Sequence, residues 1–191
     1  MDQQSAKLYM LLLGSKAPGR HVEQHDFFFG IASSLKQLVP DIKAFWRGAT
    51  GNLHIDAYRE VNYVDGYKIE IIPRDGTTTE QANKLFFINL GGYVAGKFAE
   101  QHHVILSVKA SRAQALQDAR DTAFFETNTI AGNREANAHI DDKYGFDVDD
   151  IYNITEMLTP AQKAKYRIRI TPAEGLADDK VHLGYFPLNK L

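Results

Sequence analysis

The chain opens on a short apolar run, Lys7-Leu8-Tyr9-Met10-Leu11-Leu12-Leu13-Gly14, and a second run of the same kind, Leu85-Phe86-Phe87-Ile88-Asn89-Leu90, lies deep inside it. Both are short, and both read as strands. After a loop carrying Pro18 and Gly19, the segment from Gln24 to Ile31 places Phe27, Phe28 and Phe29 on both faces of a strand, the pattern of a central strand covered above and below. Ser33 or Ser34 can then cap a helix whose apolar positions Leu35, Leu38, Val39, Ile42, Phe45 and Trp46 share one stripe, bent or split at Pro40. Two further strands follow, Leu53 to Val61 and Tyr67 to Ile72, the second preceded by Asp65-Gly66, a hairpin turn signal.

Shifting the sequence by 77 positions aligns Leu8–Ile31 with Leu85–Val108 without a gap and gives seven identities in 24 positions, among them Gly14/Gly91, Gly19/Gly96, Glu23/Glu100, Gln24/Gln101 and His25/His102. With eight more residues in the second copy, His54-Ile55-Asp56 meets His139-Ile140-Asp141. After fourteen more, twenty-two in all, Tyr67-Lys68-Ile69-Glu70-Ile71-Ile72-Pro73 meets Tyr166-Arg167-Ile168-Arg169-Ile170-Thr171-Pro172. The blocks keep their order, which indicates a tandem duplication, with repeat one over residues 1–76 and repeat two over 77–191.

The second repeat predicts strands at Leu85–Leu90 and His103–Val108, then a helix capped by Ser111 with Ala115, Leu116, Ala119, Ala123 and Phe124 inward. A short helical piece is expected around 147–151, a further helix opened by Thr159-Pro160, and a last strand over Val181 to Leu188. The implied architecture is α+β: two ββαββ-like units, antiparallel-rich, helices on one face, related by an approximate two-fold axis.

Composition narrows the function classes. Lys+Arg 22 against Asp+Glu 24 leaves a net charge of −2, with the cations scattered, so the counterion release that drives nucleic-acid binding has no source. The absence of cysteine excludes disulfides, thiol catalysis, Cys-ligated zinc and iron–sulfur clusters. Neither apolar run is long enough to span a bilayer and no lipidation motif is visible, so a cytoplasmic protein without a membrane partner is expected. No phosphate loop, EF-hand or nucleophile elbow is present: Gly19 leads into Arg20-His21, the aspartates at 141–150 lack the closing Glu, and Gly14/Gly91 and Gly19/Gly96 read as positive-φ turn residues. No cofactor is implied.

The chemistry lies in the repeated motifs. Alternation along a strand puts Glu23 with His25 and Glu100 with His102 on one face, where a carboxylate can orient an imidazole. His54-x-Asp56 and His139-x-Asp141 do the same on another strand. Two histidines and two carboxylates per repeat could hold a divalent metal, with His25, His54, His102 and His139 the candidate ligands, although no spacing signature joins the two motifs. A hydrogen-bonded framework role is the preferred reading of each pair. A shared site requires His25 within a metal span of His54 or Asp56, and His102 likewise of His139 or Asp141. The leading functional reading is a non-catalytic binding or interaction domain for a small molecule or a protein, with a homo-oligomer left open. The rival is a metal-dependent or acid/base enzyme acting on a small molecule.

The segments Lys7 to Gly14, Gly19-Arg20-His21, Glu23-Gln24-His25-Asp26, His139-Ile140-Asp141-Asp142-Lys143-Tyr144-Gly145 and His182-Leu183-Gly184-Tyr185 together resemble the bacterial family catalogued as domain of unknown function 1543. The resemblance spans nearly the whole chain. That family carries one or two copies of its domain, in keeping with the internal repeat, and it implies no activity or catalytic residue.

Overall fold

Apolar side chains on both faces of Lys7–Ser15 (β1) demand cover on both sides, and Leu8, Tyr9, Met10, Leu11 and Leu13 are all buried. A computed structural model of the chain describes residues 5–49, 52–76, 81–92, 94–122, 139–140 (backbone) and 151–191. They form a mixed α+β protein whose strand pairs are antiparallel. Two compact units result, Met1–Thr79 with Met157–Leu191, and Glu80–Glu156. Among the described residues no helix is long and apolar enough to cross a membrane.

In the first unit β1 is the inner strand, flanked by Gln24–Ala32 (β2) and by His54–Glu60 (β3). The helix Leu35–Phe45 (α1) buries Leu38 and Ile42 against Tyr9, Leu11, Leu13, Phe28 and Ile55. Pro40 removes one backbone donor, yet the helix runs through it unbroken because its buried stripe holds the turns on either side. Phe45, expected inward, is 47% exposed and meets the Phe28 ring edge-on. Tyr63–Val64 (β4) and Tyr67–Pro73 (β5) form a hairpin on Asp65 and Gly66, at φ 51° and 81°, the two left-handed positions of a type I′ turn.

In the second unit Lys84–Gly92 (β6) is the inner strand beside Gln101–Lys109 (β7). The helix Arg112–Arg120 (α2) packs Ala115 and Ala119 on Phe86, Ile88 and Leu90. The other edge of β6 is taken by His139–Ile140 (β8) and Ile151–Asn153 (β9). Ile151 therefore begins a strand, where a helical piece was expected. The turn Ile154–Met157 (α3) comes after it. Residues 147–150, and the expected inward Ala123 and Phe124, lie outside the described residues.

Residues 157–191, assigned by sequence to the second repeat, lie with the first unit, because their strands find their partners there. Pro160–Lys165 (α4), with Thr159 as its cap, leads into Tyr166–Pro172 (β10), which pairs with β5, and His182–Pro187 (β11) pairs with β3. Gln162 ties α4 to α1 by donating from Nε2 to Asp41 Oδ2 at 2.9 Å. A second difference concerns β2, expected to be central: among the described residues β2 and β7 each end their sheet. Phe28 and Phe29 are buried although β2 has one neighbour, and Val104 to Leu106 on β7 are half-buried. Apolar residues on both faces report cover above and below a strand, not neighbours on both sides.

Strand registers repeat between the units. Lys7 pairs with Ala32 and Ser15 with Gln24, while Lys84 pairs with Lys109 and Gly92 with Gln101, each 77 positions on. Gly14 faces His54, and Gly91 faces His139.

Candidate functional site

Register alone brings the two motifs of the first unit together. Gly14 near the end of β1 pairs with His25 on β2 and with His54 on β3, so the imidazoles flank a glycine on adjacent strands. A β-bulge sits where Leu12 pairs with Ala57 and Leu13 with Ile55, leaving Asp56 as the extra residue off the ladder. The site face is the one opposite α1, since Leu13 and Ile55 point into the helix-side core. A Cβ at Gly14 would stand 2.4 Å from Asp56 Oδ2 and 2.7 Å from His54 Nε2. Gly14 thus serves close approach of side chains, not the positive-φ turn expected of it. Gly19 and Gly96, at φ 76° and 82°, do take that conformation.

Over Gly14 the four side chains converge. His25 Nε2 lies 3.2 Å from Asp56 Oδ2 and 3.9 Å from Glu23 Oε2. His54 Nε2 lies 3.1 Å from Asp56 Oδ1 and 3.4 Å from Glu23 Oε1. The His54 side chain is 3% exposed, against 45% for His25, so the cluster has a closed inner end and an open outer one. His54 Nδ1 stands 2.6 Å from the Asn52 carbonyl oxygen. A carbonyl only accepts, so Nδ1 carries the proton and donates it. The Tyr185 ring of β11 lies over the His54 ring, centroids 4.2 Å apart at 40°. Sequence reasoning missed Tyr185 and the Asn52 carbonyl. The signal available for Tyr185 was its place in the His182 to Tyr185 segment.

Asp56 Oδ2 is buried and accepts no hydrogen bond. Neither Glu23 nor Asp56 pairs with a lysine or arginine among the described residues; their ionic contacts are with the two histidines. The donor atoms of Glu23, His25 and Asp56 lie within 4.8 Å of one another. Such a set can hold a cation or pass a proton between imidazole and carboxylate.

In the second unit the backbone repeats the arrangement, with Gly91 paired to His102 on one side and His139 on the other. His102 Nε2 is 3.7 Å from Glu100 Oε2. Asp141 lies outside the described residues, as does the His139 side chain.

A cleft of about 590 Å³ lies beside this region of the first unit, its wall including Lys43, Trp46, Arg47, Asn52 and Tyr185. Asn52 and Tyr185 are thus shared between the cleft and the surroundings of His54.

No curated protein matches the chain. Among solved structures it is similar to the crystal structure of protein Il1583 from Idiomarina loihiensis, 23% identical over 96% of this chain and 97% of that one, at a TM-score of 0.56. That likeness carries the fold alone. Residues 20–71 match the family described as Domain of Unknown Function (DUF1543), a segment that contains all four cluster residues, Glu23, His25, His54 and Asp56.

Proposed function

We propose that this chain is a duplicated, non-catalytic binding protein whose first unit takes a cationic ligand in the cup formed by Glu23, His25, His54 and Asp56. One observation carries the reading: two carboxylates, one with a buried and unaccepting oxygen, face two imidazoles with no lysine or arginine to neutralise them among the described residues. Partly buried carboxylates left without a counter-charge are costly, and a bound cation removes that cost. The duplication is supported by the strand registers that recur 77 positions apart. A local two-fold is supported by β5 against β10, a palindrome in repeat numbering: Tyr67 pairs with Pro172, Pro73 with Tyr166, and Glu70 with its counterpart Arg169 at the centre.

The rival reading, an acid/base enzyme acting on a small molecule, has one observation in its favour, the cleft that shares Asn52 and Tyr185 with the cluster. Amide NMR spectra of the full chain, titrated separately with zinc, magnesium, ethylammonium and methylguanidinium chlorides, test the cation reading. At least one of these should move the Gly14, His25, His54 and Asp56 resonances to saturation, and the doubly neutralised Glu23→Gln, Asp56→Asn protein should lose the response. Resonances that stay still with all four cations would overturn it.

A further inference from the structure

We infer that the cation is a divalent transition-metal ion of the zinc class, held by His25 Nε2, Glu23 and Asp56, whose ligand atoms lie within 4.8 Å of one another, with His54 Nε2 behind the two carboxylates at the closed end. The inference deepens the cation reading and rests on it. The first argument is the tautomer of His54. With Nδ1–H committed to the Asn52 carbonyl, Nε2 is the ring atom turned to the carboxylates, 3.1 Å from Asp56 Oδ1 and 3.4 Å from Glu23 Oε1. No hydrogen-bond donor among the described residues faces it, and at 3% exposure water does little to screen it. Carboxylates gathered on a nearly buried imidazole nitrogen call for positive charge between them, as a second ring proton or as a bound cation, and the cobalt(II) spectrum tells the two apart.

The second argument is spacing. Ligand atoms about 2.0–2.2 Å from a tetrahedral zinc stand roughly 3.3–3.6 Å from one another. His25 Nε2 lies 3.2 Å from Asp56 Oδ2 and 3.9 Å from Glu23 Oε2, which bracket that edge length, and the ligand atoms of the three residues lie within 4.8 Å of one another. Asp56 Oδ2, 3.2 Å from His25 Nε2, accepts no hydrogen bond, so this approach is not a directed N–H···O contact. The third argument is the support beneath. The bulge frees Asp56 from the ladder on the His54 face, and the bare backbone of Gly14 makes room for both side chains. Imidazole nitrogens mixed with carboxylate oxygens suit zinc and its neighbours, whereas magnesium and calcium take oxygen alone.

The test uses the full chain stripped with chelator and dialysed. Isothermal titration with zinc chloride should give saturable binding that magnesium chloride does not compete away, and cobalt(II) should give the intense visible bands of a four-coordinate site. His25→Ala removes a ligand that is half exposed, so the fold should persist by circular dichroism. Its first-unit zinc affinity should fall about a hundredfold or more, since loss of a mere outer partner already costs about 10- to 100-fold. Asp56→Asn should abolish the cobalt bands. Zinc binding that His25→Ala and Asp56→Asn leave unchanged would overturn the inference. So would saturation of the same NMR resonances by ethylammonium or methylguanidinium with none by zinc or cobalt, an outcome that leaves the cation reading standing. Silence with every cation would overturn both.

Discussion

The third strand of the first unit and its counterpart in the second share a register against the inner strand but differ in continuity. β3 runs unbroken from His54 to Glu60, with Asp56 the bulge between Ile55 and Ala57. In the second unit β8 ends at Ile140 opposite Leu90, and β9 begins at Ile151 opposite Ile88. Two residues, 56 and 57, separate the equivalent pairing positions Ile55 and Tyr58 in the first unit, and ten, 141–150, separate them in the second. Eight residues, distinct from the eight that precede His139, therefore enter at the bulge. A bulge residue makes no ladder bonds, so chain can be added there without moving any pairing on either side. The same position that aims Asp56 at the cluster in one unit thus accepts an insertion in the other.

The helices differ in a complementary way. Leu38 and Ile42, the buried residues of α1, correspond at the 77-residue offset to Ala115 and Ala119 of α2. The first helix stands on large side chains and the second on methyl groups. Ile42→Ala gives the first unit the second unit's residue at that place, and it should cost about 2–5 kcal/mol because the surrounding core, at 0% exposure, cannot collapse onto the smaller side chain. The reverse change, Ala119→Ile, should cost about 1–3 kcal/mol by overpacking. Urea unfolding of both variants measures this, and equal small losses would erase the contrast between the helices.

The difference between the helices was legible in the sequence, because Leu38/Ala115 and Ile42/Ala119 stand at matched positions of two capped stripes. So were the two strands and the helix that open each half, and the Asp65-Gly66 turn, all fixed by local pattern and local backbone chemistry. Long-range pairing was not. Nothing in Tyr166–Pro172 says that its partner is Tyr67–Pro73 and not a strand nearer in the chain, since both choices satisfy the same alternation. The site was half legible for the same reason. Alternation pairs Glu23 with His25 and His54 with Asp56, but only the register of two strands on Gly14 brings the pairs within 4 Å. Asn52 contributes a carbonyl oxygen, which every residue carries, so no residue type could have marked it.

A smaller contrast sits at the helix starts. Ser34 and Ser111 are equivalent N-cap residues, both with extended backbone. Ser111 Oγ accepts from Gln114 N at 3.3 Å, whereas the Ser34 side chain makes no cap bond. In both units a glutamine Oε1 also accepts from the backbone N–H of the residue before the cap, Gln37 from Ser33 N and Gln114 from Ala110 N, each at 3.2 Å. Ser111→Ala should therefore cost about 1 kcal/mol, in the usual range of a lost cap, and Ser34→Ala a few tenths at most. Thermal unfolding of the two single variants checks this, and a larger loss at Ser34 would reverse the assignment of caps.

The smallest effect tests the antiparallel pair β5 and β10, where opposite charges face each other at one position. Glu70 on β5 faces Arg169 on β10, and Lys68 lies two residues away on the same strand. Lys68 Nζ approaches Glu70 Oε1 at 2.8 Å, and Arg169 Nε donates to Oε2 at 3.1 Å. The Lys68 hydrogen bond, followed by that of Arg169, holds the Glu70 carboxyl below its ordinary value of 4.5. A carboxyl whose folded value is depressed contributes stability that is fully present above the unfolded value and is lost as pH falls through the folded one. Glu70→Gln should thus be less stable than the parent by about 0.5–1 kcal/mol at neutral pH, the range of a surface pair, with the difference shrinking towards zero in acid. Added salt should shrink it further at neutral pH. Urea unfolding of parent and variant across the acid limb measures this, and a difference that stays constant from neutral pH into acid would mean that Glu70 acts through packing and not through its charge.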